Sequence, residues 1–229
     1  IYSPGKRVVA QVAPAVRVAI GEEFGLEPGK NSIGKIFTAM RMIGFDTVFD
    51  TSFAADLTIM EESAELVKKL EKGDNKYPLF TSCCPGWIRF AETKHPELLP
   101  YISTCRSPME MFGAVIKEYY KPADKEAGLE TVSVAVMPCV AKKYEASRPE
   151  FVRDGVPDVD YVITTKELIS MIRELGIQFN ELEPGSPDMP FSISSGSGVI
   201  FGVTGGVMEA ALRKVADKSD FAIDRKSVV

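Results

Sequence analysis

Apolar positions along this chain alternate between short continuous runs and stripes at helical spacing, the pattern of strands exchanged with helices. Arg7-Val8-Val9-Ala10-Gln11-Val12-Ala13 is a β-branched run closed by Pro14, which reads as a strand buried in a parallel sheet. Ile33, Ile36, Phe37, Met40 and Ile43 recur at helical spacing and Gly44 follows, so Ser32 to Ile43 is expected as an amphipathic helix. Phe45 to Phe49 reads as a strand. About Ala54 to Lys72 reads as a helix with Met60, Ala64, Val67 and Leu70 in its stripe, and Tyr77 to Thr81 as another strand. Helices are expected over Pro85 to Lys94 and Met109 to Tyr120, then a polar connection over Lys121 to Glu130 that carries Pro122 and Gly128. Thr131 to Cys139 and Asp160 to Thr164 read as strands and Thr165 to Leu175 as a helix. After a loop over Asn180 to Pro190, the Gly- and Ser-rich stretch Ser192 to Gly206 leads into a helix over Val207 to Val215. This alternation implies an α/β fold with parallel sheets. The polar connection divides it into two lobes, 1–128 and 129–229.

Composition narrows the function classes. With 45% hydrophobic residues in 229, the chain can bury a substantial core, and disorder is not indicated. A net charge of −5 gives no electrostatic support to a nucleic-acid or anionic-membrane partner. No apolar run approaches the roughly 20 residues that span a bilayer. Nothing at the N-terminus reads as an export leader, and four cysteines are too few for a disulfide scaffold, so a cytoplasmic location is expected. The abrupt ends at Ile1 and Val229 read as cuts in something larger.

Candidate chemistry gathers around Phe80-Thr81-Ser82-Cys83-Cys84-Pro85-Gly86-Trp87. A helix starting at Pro85 puts Cys84 at its N-terminus, where backbone N–H groups and the helix dipole favour a thiolate; small buried hydrophobes are the alternative for both cysteines. Thr131 to Cys139 repeats the arrangement, an apolar strand delivering a cysteine at the end where ligands of parallel sheets gather. With one histidine, His95, and no CxxC pair, zinc is a poor guess. A cysteine protease would need a histidine that this helix carries away from its thiol. Cysteines from separate strands suit an iron-sulfur cluster, for which Cys84 and Cys139 are two ligands of the usual four. Glu62, Glu65 and Lys69 share one helix face, either as a solvated charged surface or as something functional. The glycines after Ser192 permit close approach to a bulky group or simply tight turns.

Thr81-Ser82-Cys83-Cys84-Pro85-Gly86-Trp87 and Met137-Pro138-Cys139-Val140-Ala141-Lys142-Lys143-Tyr144-Glu145 resemble the first two signature motifs of the catalytic domain of iron-only hydrogenases. Val12 to Arg17, Thr58 to Glu62 and Ile200 to Ala211 extend the resemblance over most of the chain. It implies two lobes, each a mainly parallel sheet flanked by helices, with the second incomplete and the cluster between them. That cluster, the H-cluster, is a [4Fe-4S] cubane joined to a two-iron unit, and the activity implied is reversible reduction of protons to H2 with electrons from ferredoxin or a similar carrier. By motif position Cys84 and Cys139 would ligate the cubane. Cys83 would be the proton donor, and Glu62, Ser103 and Glu65 the path to solvent, with Lys69 at its outer end. Lys142 would contact a cyanide ligand, with Glu145 holding that lysine, and Ala13, Pro14, Met137 and Phe201 would wall the two-iron unit. Cys105 matches no ligand position and reads as packing.

The resemblance also implies a third motif, supplying the last two cubane ligands, which these 229 residues do not reach. On that reading the segment alone lacks a complete H-cluster and is inactive, leaves apolar surface that favours self-association, and depends in its parent on maturation proteins for the two-iron unit. The rival class is a non-catalytic iron-sulfur assembly scaffold of the kind that resembles these hydrogenases. Such relatives tend to lack the first cysteine of the pair, so Cys83 and the acidic positions favour the enzyme.

Overall fold

The computed structural model describes residues 1–73, 78–201 and 205–216. In chain order the elements are β1 (Lys6–Val12), α1 (Val16–Ala19), α2 (Ile33–Ile43), β2 (Thr47–Asp50), α3 (Ser52–Glu71), α4 (Pro85–Lys94), α5 (Pro108–Ala127) and β3 (Glu130–Met137). There follow α6 (Ala141–Ala146), the two-residue strands β4 (Val152–Arg153) and β5 (Val156–Pro157), β6 (Tyr161–Thr164), α7 (Thr165–Glu174), α8 (Gly196–Ile200) and α9 (Gly206–Ala216). They form two compact units, Ile1–Thr51 with Met109–Ile193, and Ser52–Pro108 with Ser194–Val229 as far as it is described.

The first unit is the parallel α/β body that the apolar runs predict. Its sheet has the order β2-β1-β3-β6, every pairing parallel, with Val8 opposite Val132 and Val12 opposite both Asp50 and Val136. The two central strands carry continuous buried runs, Val8 to Val12 and Ser133 to Met137, because helices cover both faces. α2 and α7 pack together with the sheet. Elsewhere Gln11 Nε2 donates to the Met109 carbonyl at 2.9 Å, and Phe49 meets the Phe112 ring of α5 at 5.5 Å between centroids.

Local chemistry moves some expected boundaries. β2 starts two residues later than the run suggests. Gly44, at φ +109, closes α2, Phe45 N–H donates to Met40, and Asp46 brackets Val8 through both backbone and side chain. The polar stretch after Tyr120 is not a connector, since α5 continues to Ala127 with Pro122 inside it. Asp124 anchors this last part, buried against Arg7 at 2.6 Å and accepting the Thr131 hydroxyl at 2.5 Å, which outweighs the local cost of the proline. The division at 128/129 accordingly does not match the compact units, for β3 pairs with β1 along its length.

In the second unit α3 packs against α8 and α9, and α4 against the turn Pro96–Tyr101. Among the described residues this unit holds no sheet. Of the strand expected over Tyr77 to Thr81, Tyr77 lies outside the described residues, and Phe80 forms an isolated parallel bridge with Ile102. Gly202, Val203 and Thr204 also lie outside the described residues, as does everything after Ala216. Among the described residues no helix is long and apolar enough to cross a membrane.

Helix α5 comes so close to Asp158 and Val159 that a Cβ on Gly113 would lie 2.5 Å from the Asp158 carbonyl oxygen. Gly113→Ala should therefore destabilise the first unit by about 1–3 kcal/mol, read as a lower urea midpoint at unchanged slope. An unchanged midpoint would contradict this packing.

Candidate functional site

The second unit gathers the cysteine pair and the predicted acidic path. Cys84 is the N-cap of α4 with extended backbone, φ −101 and ψ 106, and its Sγ accepts the Trp87 N–H at 3.4 Å. Pro85 occupies the first turn, where its missing N–H is no loss. The thiol thus points its acceptor lone pairs at the positive end of a ten-residue helix, and it is exposed, while Cys83 beside it is half-buried. Neither is in a disulfide.

Behind the pair, the Phe80–Ile102 bridge lays two segments alongside one another: Phe80 N–H donates to Tyr101 O at 2.8 Å and Ser103 N–H to Phe80 O at 2.7 Å. Ser103 is thereby turned toward α3. Its hydroxyl donates to Glu65 Oε2 at 2.6 Å, and Thr104 N–H reaches the same carboxylate at 3.2 and 3.3 Å. Lys69 Nζ lies one turn further along the helix, 4.0 Å from Glu65 Oε1.

Glu62, one turn before Glu65, is only 3% exposed, and neither of its oxygens has a hydrogen-bond partner. Burial first, and then the Glu65 charge, push its pKa up to about 7, against the opposing influence of the Ser103 hydroxyl and the Ser82 backbone. A serine hydroxyl has one proton and can donate to one carboxylate at a time. Here it goes to Glu65, which leaves Glu62 a buried carboxyl poised between its charged and neutral forms at neutral pH.

The first unit holds the remaining predicted residues, except Phe201, which lies in a turn of the second. Ala13 and Met137 are buried, with Ala13 N–H donating to Val136 O at 3.0 Å, so Ala13, Pro14, Met137 and Cys139 all lie at the carboxyl ends of β1 and β3. Cys139 is exposed. Lys142, in α6, pairs with the nearly buried Glu145 at 2.6 Å.

An iron-sulfur cubane takes four thiolates. Cys84 and Cys139 are exposed, free and suited in kind, and they amount to half of such a set. Among the described residues no three His, Cys, Asp or Glu side chains gather as a metal site. The residues present therefore fit part of the cluster's donor set and not the whole.

Sequence reasoning placed Cys105 in packing and missed its company. Its thiol contacts Glu65 Oε2 at 3.6 Å, its N–H donates to Ser103 Oγ at 3.1 Å, and its carbonyl accepts the Ser82 hydroxyl. Its position two residues after Ser103 was the available hint; the contact with Glu65, 40 residues away, leaves no trace in spacing.

The first unit thus offers a free thiol just past the carboxyl end of a parallel strand, and the second unit, taken by itself, a helix capped by another thiol and a buried acid on α3. The chain belongs to the iron-only hydrogenase large subunit, C-terminal domain family, whose model matches residues 6–227. It is 51% identical over 218 residues to the NADP-reducing hydrogenase subunit HndD of Solidesulfovibrio fructosivorans, covering 93% of this chain and 37% of that protein. It is 35% identical over 227 residues to the cytosolic iron-sulfur assembly component 3 of Mus musculus, covering 94% of this chain and 48% of that one. The solved structure "Stepwise [FeFe]-hydrogenase H-cluster assembly revealed in the structure of HydA(deltaEFG)" superposes with a TM-score of 0.82 at 45% identity, over 98% of this chain and 56% of that one. The chain thus spans from about a third to about half of the length of these proteins.

Burial of Glu62 makes stability depend on pH with a definite sign. Unfolded, the group titrates near 4.5, and folded near 7, so between these values the folded chain holds a proton that the unfolded chain has lost. Stability therefore falls as pH rises through that window and levels off above it. Relative to Glu62→Gln, the wild-type chain should lose about 3 kcal/mol between pH 4.5 and the plateau above 7, measured by chemical denaturation. A pH-independent difference between the two would show that Glu62 is not a buried titrating acid.

Proposed function

We propose that this domain serves, in its full-length protein, the reversible reduction of protons to H2, with electrons from ferredoxin or a similar carrier. The observation that carries the reading is the buried Glu62 carboxyl, set between the Ser82-Cys83 segment and the Ser103–Glu65 hydrogen bond. A series of an acid, a hydroxyl and a second acid within hydrogen-bond reach can accept a proton at one end and release one at the other. A carboxyl titrating near 7 does this in either direction without a large energy step.

In this reading a proton enters at Glu65 near Lys69, crosses the Ser103 hydroxyl as that group turns from one carboxylate to the other, and is held on Glu62. From there it passes to Cys83 Sγ, the proton donor of the site. Cys84 and Cys139 would contribute two of the four thiolates of the [4Fe-4S] cubane of the H-cluster. The two-iron unit, when bound, would supply the centre at which protons and electrons combine. Lys142, its ammonium held by Glu145, would present a charged donor to an anionic ligand of that unit. Ala13, Pro14, Met137 and Phe201 would keep water from it, as an apolar shell does around any metal centre. Installation of the two-iron unit by maturation proteins and a cytoplasmic location belong to the same proposal.

The assembly-scaffold reading is supported by the 35% identity to the iron-sulfur assembly component. Absence of any H2 evolution from full-length protein with a fully loaded cluster would favour it. In the full-length protein, Cys83→Ser and Glu62→Gln should each lower H2 evolution by a factor on the order of 10² to 10⁴ with iron content unchanged. Cys84→Ala and Cys139→Ala should instead lower the iron bound per chain. Full turnover in Cys83→Ser would remove the proton-donor assignment.

A further inference from the structure

Cys105 is a thiol that the proposed function leaves over, yet it touches two members of the proton path, Glu65 and Ser103. Its Sγ donates to Glu65 Oε2 at 3.6 Å, the oxygen that also takes the Ser103 hydroxyl at 2.6 Å. Its N–H donates to Ser103 Oγ at 3.1 Å, and its carbonyl accepts the Ser82 hydroxyl, next to Cys83. We propose that Cys105 is a positioning residue of the proton path, its thiol orienting the Glu65 carboxylate and its backbone orienting Ser103. This rests on the function proposed above.

The chemistry of the contacts explains why a thiol suits the place. Ser103 Oγ has two lone pairs. One is taken by the Cys105 N–H, which leaves a single lone pair to accept a proton from whichever carboxyl the hydroxyl is not donating to. A thiol is a weak, long donor, so it steadies Oε2 without displacing the Ser103 hydroxyl from it. A hydroxyl in its place would bond shorter and more strongly and would compete for the same oxygen. The charged groups facing it on α3 are Glu62, Glu65 and, one turn on, Lys69. Burial first, and then the carboxylates of Glu65 and Glu62, push the thiol's pKa up to about 11, against the opposing contact with Ser103. It therefore remains a donor, neither a nucleophile nor a link through which the proton passes.

The test uses the full-length protein, with Cys105→Ala and Cys105→Ser, and reads two quantities. The first is the infrared S–H stretching band of Cys105, assigned by its loss in Cys105→Ala. In the wild type it should be shifted to low frequency by the carboxylate acceptor, and Glu65→Gln should move it up. The second is H2 evolution from a chemical reductant. Cys105→Ala should lower it roughly three- to fivefold, about what one weak hydrogen bond is worth in the rate-determining step, and raise the solvent isotope effect. Iron content and melting temperature should not move. Cys105→Ser should not restore the wild-type rate, because its hydroxyl competes with Ser103. An S–H band indifferent to Glu65→Gln, or wild-type rate and isotope effect in both variants, would overturn the proposal. Should the wild-type protein evolve no H2 at all, the proposed function fails, and the S–H band alone decides whether the thiol orients Glu65.

Discussion

A single parallel bridge, Phe80 to Ile102, fixes the geometry on which the candidate site depends. It consists of two backbone hydrogen bonds, yet it sets which side chain of the second segment faces α3, because alternate residues of extended chain point to opposite sides. With Ile102 opposite Phe80, Ser103 and Cys105 both reach Glu65, and Ser82 reaches the Cys105 carbonyl. A slip of one residue would turn Ser103 away from the helix. The other half of the arrangement comes from α3, whose regular pitch holds Glu62, Glu65 and Lys69 along one line without further support.

Several buried polar groups tie the first unit together through their partners: Gln11 with the Met109 carbonyl and the Thr51 hydroxyl, Asp124 with Arg7 and Thr131, Asp158 with Arg153. Each pairing offsets the desolvation of its partners and ties together elements distant in sequence. Glu62 does the opposite. Its carboxyl is buried without a partner, beside a second carboxylate and beneath a hydroxyl committed elsewhere. That costs stability whenever it is charged. Burial of this kind is how a carboxyl is brought to titrate near neutral pH, and such displaced groups concentrate at functional sites.

The fold and the site were legible to different depths. Helix α4 was readable to the residue, since Pro85 and the following apolar positions leave little choice about where it starts. The α2 helix was readable too, because its stripe and the closing glycine carry the signal within a dozen residues. The end of α5 was not. Lys121 to Ala127 is polar and contains a proline, and only the burial of Asp124 against Arg7, more than a hundred residues earlier, makes it helical. The same misjudgement displaced the boundary between lobes, since a connector placed there would part β3 from β1, which are neighbours in one sheet. The identity of the site's residues came from the motifs around Cys83-Cys84 and Cys139, and the family they indicated is the one to which the chain belongs.

By itself the sequence determined what depends on near neighbours along the chain: the alternation of parallel strands and helices, the thiol at the start of α4, the thiol just past the end of β3, and the line of acids on α3. Tertiary structure alone decided what depends on groups far apart in the chain: that β3 lies beside β1, that Glu62 is buried without a partner, and that Cys105 stands against Glu65. The reason is physical. Helical pitch, strand alternation and capping act over a few residues and leave a periodic trace, whereas burial and side-chain hydrogen bonding are set by whichever segments the sheet and the Phe80–Ile102 bridge bring together, and no spacing records that.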